Sequence, residues 1–567
     1  MLSLVRRGIS RAHLAIETYW EVTTVARGPD PHIARKSLPL TNPVKRSPLL
    51  VSCAALLVMM LTLPAWRPSW AAGPTTLIWG RSGDVFTLDV PLSTDTQTTM
   101  VSTQLYNTLT RAKPGRVDVE AELATSWSTS ADGLVWTFTL RKGVTFHDGT
   151  PFNAQAMKFN IDRWADPHNA YRPKGGTFEA WDDFVADTYK ESRVVSPDTI
   201  QVVLKSPNAP LLAAVSAISF GFASPQSIKQ YGGEGFAQHP VGTGPFKFVE
   251  WVRDDHITLE ANPSYFRRGL PKVQRVIFRV IKDNAARFLA LKAGEVQLME
   301  LPNPDDVKAA QSDPNLKVML RPAFNSGWLR FNMNLPLFQD RRIREAVAAA
   351  INRPAIVQGL YGGYGQVADQ QLPPVMWGRS ANIKGYAFDP ARAKQLLTEA
   401  GYPNGFSFDF WYMPISRTYF PNGKTIGTAI ASYLANAGIR AHLMTEDWAA
   451  YLKDRATNKF QIFMIGGTGD YGDPDDFWSY NFAKYDPNSA NYSYNKPQLF
   501  SLIATARSTT DQAQRAKMYA QAADIIDQDV RDIYIAYARV PVLMRKNVDG
   551  LVLQPTANEY MDTVEVK

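Results

Sequence analysis

Phe460-Gln461-Ile462-Phe463-Met464-Ile465-Gly466-Gly467-Thr468-Gly469-Asp470-Tyr471-Gly472-Asp473-Pro474-Asp475-Asp476-Phe477 changes character in its middle. The first six residues form a nearly continuous apolar run rich in Ile and Phe, the pattern of a short strand buried on both faces. Residues 466–477 carry four glycines and four aspartates. That composition predicts a loop in which positive φ is available and a ligand can approach the main chain closely. Its negative charge favours a cation or an ammonium group and repels phosphate. Residues 467–472 match G-x-G-x-x-G literally, but a dinucleotide loop must open a helix whose N-terminus faces the pyrophosphate. An Asp inside the motif and Asp473-Pro474-Asp475 after it argue against that use. The D-x-[DN]-x-[DN]-G spacing of a calcium loop is also absent. An acidic surface turn with no ligand stays open as the plain alternative.

Outward from this stretch, strand and helix patterns alternate. Leu134, Trp136, Phe138 and Leu140 alternate with Val135, Thr137 and Thr139 after the turn pair Asp132-Gly133, which predicts the second strand of a hairpin. Asn153 is placed to cap a helix carrying Met157, Ile161 and Trp164 on one face. Asp389-Pro390 opens a helix with Ala393, Leu396, Leu397 and Ala400 as its stripe, ended by Gly401 and Pro403. Ile343, Ala346, Val347 and Ala350 repeat that spacing after Asp340, and Met518, Tyr519, Ala522, Ile525 and Ile526 do so near the C-terminus. Tyr534-Ile535-Ala536-Tyr537 then predicts a strand. A chain of 567 residues exceeds what one core supports, so at least two domains are expected.

The formal charge of +8 is not spread over the chain. Up to Ala71 there are nine basic and three acidic residues, which leaves 52 basic and 50 acidic in the rest, so nucleic-acid binding loses its main support. The single cysteine, Cys53, lies in the same segment. Lys45-Arg46, the apolar run at 49–63 and Ser69-Trp70-Ala71 before Ala72 have the three regions of a cleaved secretory signal peptide at 44–71. The apolar run is shorter than the roughly 20 residues that span a bilayer. Leu50-Val51-Ser52-Cys53 falls too early in it to make a lipid-anchored cysteine the expectation. Residues 1–43 read as an extension upstream of a true start at Val44.

No H-E-x-x-H, G-x-S-x-G or C-x-x-C occurs, and His147 has no motif partner, so catalysis would fall to carboxylates alone.

Several ordered blocks resemble one family, the ABC-transporter solute-binding proteins for peptides and nickel. They are Glu122-Leu123-Ala124-Thr125-Ser126-Trp127, Leu140-Arg141-Lys142-Gly143-Val144 with Phe146-His147-Asp148-Gly149, and Pro240-Val241-Gly242-Thr243-Gly244-Pro245-Phe246. Phe388-Asp389-Pro390, Ala400-Gly401-Tyr402-Pro403-Asn404-Gly405-Phe406 and the loop at 470–477 continue the series. The resemblance runs from about residue 75 to the end and is strongest to the dipeptide-binding branch. It implies a two-lobed α/β periplasmic-binding-protein fold of type II that closes on ligand like a hinge. Lobe one would comprise 73–321 plus 533–567, with an extra subdomain at about 105–235, and lobe two would comprise 322–532.

The resemblance also implies a site. Arg417, in Met413-Pro414-Ile415-Ser416-Arg417-Thr418-Tyr419, would hold a peptide carboxylate, and Asp470 its ammonium group, with Gly467, Thr468, Gly469, Tyr419 and Trp411 lining the ligand. Related proteins carry Trp where this chain has Gly467, so a wider pocket is expected. The pairing is chemically sound by itself, because a guanidinium fork matches a carboxylate and Asp accepts from an ammonium. The implied role is that of a monomeric periplasmic carrier with no metal or cofactor, delivering a short peptide to an ABC permease and its ATPases. A nickel, haem or glutathione carrier is the alternative on the same fold. A secreted hydrolase using Asp470 and Asp475 is the alternative of another class.

Overall fold

The alternating pattern of Val135–Leu140 resolves into a strand whose Trp136, Phe138 and Leu140 are buried and whose intervening residues are half-exposed, as the period of two requires. It belongs to a four-stranded antiparallel sheet ordered Ala124–Thr129, Val135–Leu140, Thr199–Leu204, Tyr189–Ser196. The helix Ala154–Ala165 contributes Met157, Ile161 and Trp164 to the core beneath this sheet, and the Asn153 side chain accepts from Ala156 N at 3.0 Å. This core is separate from those under the other sheets.

This computed structural model describes residues 75–567 apart from Ala483. The expected extension at 1–43, signal peptide at 44–71 and cleavage site lie outside the described residues. Among the described residues, no helix is long and apolar enough to cross a membrane.

Two larger sheets form the lobes. The first has seven strands, in the order Leu316–Leu320, Pro541–Arg545, Leu298–Glu300, Thr76–Arg81, Arg275–Val280, His256–Ala261, Phe246–Val252. The second has six, in the order Gly365–Val367, Asp532–Ala538, Asn325–Phe331, Ile462–Thr468, Ser407–Trp411, Arg440–Met444. In the second, the apolar run before the glycine-rich loop lies in the middle. Residues 462–465 are buried between an antiparallel neighbour, Asn325–Phe331, and a parallel one, Ser407–Trp411.

The chain leaves the first sheet after Leu320 and enters the second at Asn325. It returns between Ala538 and Pro541, which corrects the expected return near residues 532–533. The strand Asp532–Ala538 is fully buried and pairs with Asn325–Phe331, so it belongs to lobe two. Its apolar sequence announced a strand but not its sheet. The two crossings hold one another. Arg321 N donates to Val540 O at 3.0 Å, and the Asn325 amide both accepts from Ala538 N and donates to Ala538 O, each at 2.9 Å. Arg321 is also paired with the buried Glu559 at 2.6 Å.

Candidate functional site

Strands Ser407–Trp411 and Ile462–Thr468 run parallel, so the loops beyond them emerge at the same carboxyl end of the sheet, the end at which open α/β sheets bind ligands. Arg417 lies in the first loop and Asp470 in the second.

The second loop differs from the expectation in two ways. Its glycines serve close packing, because none of Gly466, Gly467, Gly469 and Gly472 has a positive φ. Gly466 and Gly467 lie in the strand itself, opposite Gly327 and Ser326. A Cβ on Gly466 would stand 2.3 Å from Tyr419 Cδ2, and one on Gly472 would stand 1.8 Å from Val117 O. Gly467 is the exception, since a Cβ there meets only Trp328 Cη2, at 3.9 Å. A side chain is missing at 467, and the space for one is left.

The second difference is that most of the acidic charge is spoken for. Asp473 is buried and held by both terminal nitrogens of Arg515 at 2.6 Å each. Asp475, also buried, accepts from Ser479 Oγ at 2.7 Å and from Tyr519 Oη at 3.3 Å, with Arg507 Nε at 3.7 Å. A pair of co-facing catalytic carboxylates at Asp470 and Asp475 is therefore not formed, because Asp475 is committed to the helix Gln512–Gln528 beneath the loop. Asp476 accepts from the main-chain N of Asp470 at 2.7 Å and shapes the turn.

Asp470 remains. Its surface is accessible to solvent, yet protein surrounds it closely enough that burial is the chief cause raising its carboxyl to about 6, with the charge of Asp183 adding to the rise. Both facts fit a side chain in a narrow cleft. Asp183 comes from the subdomain helix Glu179–Phe184, and its own carboxyl is raised by burial and by Glu179 and Asp182. The adjacent residues confirm the juxtaposition: the rings of Phe184 and Tyr471 meet edge to face at 4.9 Å. Residues 470–472 are thus one of the places at which lobe two faces lobe one, and they line a small cavity of about 40 Å³ whose other walls come from lobe one.

Arg417 and Phe420 close a tight turn through Arg417 N to Phe420 O at 3.0 Å and Phe420 N to Arg417 O at 2.9 Å. The turn presses the Tyr419 ring onto the face of Gly466 and leaves Arg417 exposed, its guanidinium 5.2 Å over the Trp448 ring. Among the described residues Arg417 makes no ion pair with a carboxylate. Burial raises the Tyr419 phenol, while the Arg417 and Arg455 charges oppose the rise. Tyr419 thus ties the Arg417 turn to the strand at Gly466; further along that strand Thr468 is exposed at its end and Gly469 N donates to Phe324 O at 2.9 Å. Trp411 is not part of this surface. It is buried in the lobe-two core, stacked on Phe460 with centroids 4.3 Å apart. His147 is an internal brace: Nε2 donates to Gly244 O at 3.1 Å, Nδ1 accepts from Gly242 N at 3.3 Å, and burial pushes its pKa down to about 4.

The lobe-one wall, which includes Asn107, Glu122 and Asp562, was not among the expected site residues. Its only local signal was polar residues set inside apolar blocks, as in Tyr106-Asn107-Thr108-Leu109.

Residues 118–489 match the family described as bacterial extracellular solute-binding proteins, family 5. The chain belongs to that family. Among its relatives, the dipeptide-binding protein of Escherichia coli (strain K12) is 32% identical, covering 91% of this chain and 99% of that protein. Haem-binding protein A of Haemophilus influenzae is 33% identical, covering 80% of this chain and 85% of that one. Among solved structures, the periplasmic binding protein DppA of Helicobacter pylori in complex with the peptide STSA superposes with a TM-score of 0.70 at 30% identity, over 87% of this chain and 98% of that one. The fold is thus the two-lobed one of family 5, and the seven- and six-stranded sheets are the centres of its lobes.

Proposed function

We propose that this chain is the periplasmic receptor of an ABC importer and carries short peptides. Arg417 takes the terminal carboxylate and Asp470 the terminal ammonium, with Gly467, Thr468, Gly469 and Tyr419 forming the wall between them. The observation that carries this reading is a pair of opposite charges, neither matched by a counter-ion among the described residues, on adjacent loops at the carboxyl end of the lobe-two sheet. Peptide binding by relatives and a peptide-bound neighbour supports it. The protein is exported through the signal peptide at 44–71, works as a monomer, and hands its ligand to a membrane permease without altering it.

Calorimetry tests the clamp. Di- and tripeptides with free termini bind, and acetylated, amidated versions lose affinity. Arg417→Ala and Asp470→Ala each weaken binding by well over tenfold, since loss of one partner of a buried charge pair typically costs about 2–5 kcal/mol. Equal affinity for doubly blocked peptides overturns the reading. A haem-binding relative makes a haem carrier the second reading. Native mass spectrometry of the purified protein separates the two by the mass of the ligand it carries out of the cell.

A further inference from the structure

The segment built on the four-stranded sheet meets lobe two at three points. Tyr471 is 5% exposed, yet it belongs to none of the apolar cores under the sheets. The ring that meets it edge to face at 4.9 Å is Phe184, which itself packs on the core of the four-stranded sheet. Val117 is the converse. It lies in the turn between the paired strands Thr110–Ala112 and Val119–Ala121, and it is buried in the core of lobe two. Its carbonyl is the group that leaves no room for a Cβ on Gly472. The third point is a main-chain hydrogen bond, from Ala209 N to Arg507 O at 2.9 Å. Arg507 lies in the last turn of the helix Pro497–Ser508, whose final carbonyls have no partner within the helix. The opposite side supplies the missing donor.

Both halves of this contact are braced from behind. The buried Asn208 amide donates to Phe184 O at 3.0 Å and to Thr188 Oγ1 at 3.1 Å, which ties the Ala209 loop to the end of the helix Glu179–Phe184. On the lobe-two side, Asp473 and Asp475 fix the loop to the helix Gln512–Gln528 through Arg515 and Tyr519, and Arg507 Nε approaches Asp475 to 3.7 Å. Each half thus moves as a piece, and their parting breaks the three contacts together. We propose that these contacts are a clasp: the segment carrying Val117, Phe184 and Ala209 holds lobe two in the closed position, and its release sets the rate at which a ligand leaves. Asp470 immediately precedes Tyr471, so the clasp also fixes where that carboxylate stands. Ring packing, a buried valine and a main-chain bond carry it, and none of these depends on what the ligand is. Asp183, whose charge acts on Asp470 across the same gap, opposes it. Contacts made only in the closed form shift the balance between open and closed by their whole free energy, and release from a closed form waits on opening. Phe184 and Gly472 are positioning residues in this device.

Limited trypsin digestion of the purified protein, freed of ligand by unfolding and refolding, reads the clasp directly. The Arg116–Val117 bond stands at its edge, with the Arg116 side chain exposed and Val117 buried against lobe two. Cleavage there follows the open population when reclosing is fast. Phe184→Ala on one side of the gap and Gly472→Ala on the other should each be cut after Arg116 at least fivefold faster than wild type. Cleavage after Lys142, exposed on the same segment, should keep its wild-type rate, which shows the segment still folded. Release of bound Ala-Ala, followed by stopped-flow tryptophan fluorescence, should be faster in Phe184→Ala by a similar factor, with association changed less than threefold. Equal cutting after Arg116 in wild type and in whichever variant folds overturns the clasp, and so does unchanged release from Phe184→Ala. If Ala-Ala does not bind the wild type, the peptide-carrier reading falls, and the digestion alone decides the clasp.

Discussion

Asp473 sits beneath its loop in a two-pronged pair with Arg515, whereas Asp470, three residues earlier, faces a cleft from which another carboxylate, Asp183, acts on it. The residue type, the loop and the flanking glycines are shared, and only the surroundings differ. The partner of Asp473 stands 42 positions away on the helix Gln512–Gln528. Asp473 spends its charge on the fold, whereas Asp470 has no cationic partner among the described residues. Gly466 and Gly467 repeat the contrast a few residues earlier, the first jammed against Tyr419 and the second facing open space.

The largest expected effect breaks the inner half of this comparison. Asp473→Ala leaves Arg515 as a buried, unpaired cation, and removing one partner of such a pair costs about 3–5 kcal/mol. Urea denaturation should show a loss of that size, and the folded fraction should bind ligand with unchanged affinity. A loss under about 1 kcal/mol, the ceiling for an exposed pair, would erase the distinction between the two aspartates.

An intermediate effect separates the glycines. Gly466→Ala forces the Tyr419 ring or the strand to move, and overpacking of this kind costs about 1–3 kcal/mol. Gly467→Ala stays within about 0.5 kcal/mol of wild type, as substitutions without a steric or polar conflict do. Equal melting temperatures for the two variants would sink the argument that only one of them is a packing glycine.

The last effect concerns the pH dependence contributed by Asp470, whose carboxyl titrates beside that of Asp476. Its folded pKa of about 6 lies above the roughly 3.9 of an unfolded Asp. The folded state therefore binds the extra proton between those values, so stability falls as pH rises from about 4 to about 6 and is level above. Asp470→Asn lacks its share of this dependence. Its melting temperature should gain on wild type across that window and hold the gain at higher pH. A gap that narrows as pH rises would have the wrong sign for a cleft carboxylate.

The parts of this molecule legible in sequence are those whose physics is local. The cap at Asn153, the Asp389-Pro390 helix start and the alternation of Val135–Leu140 each depend on residues a few positions apart, and each is found where the pattern places it. Residues 462–465 read as a buried strand for the same reason. Partnership was not legible. Four aspartates that read as one loop looked equivalent because Arg515 and Tyr519 are supplied by a helix further along the chain. Residues 534–537 announce a strand without saying which sheet takes it, so the sequence does not place the return crossing. The cavity wall draws on Asn107, Glu122 and Asp562, which no spacing rule connects.

The placement of Pro541–Arg545 also governs the order in which the molecule can be assembled. That strand lies between Leu298–Glu300 and Leu316–Leu320 and, among the described residues, is the only sheet neighbour of the latter. During synthesis, Leu316–Leu320 emerges long before the segment that must pair with it, and all of lobe two is made in the interval. The six-stranded sheet is complete once Ala538 has been added, while the seven-stranded one still lacks an interior member. Pairings of such long sequence separation form slowly. The lobe that begins first therefore finishes last, and until then its unfinished sheet edge stays open to chaperones and proteases.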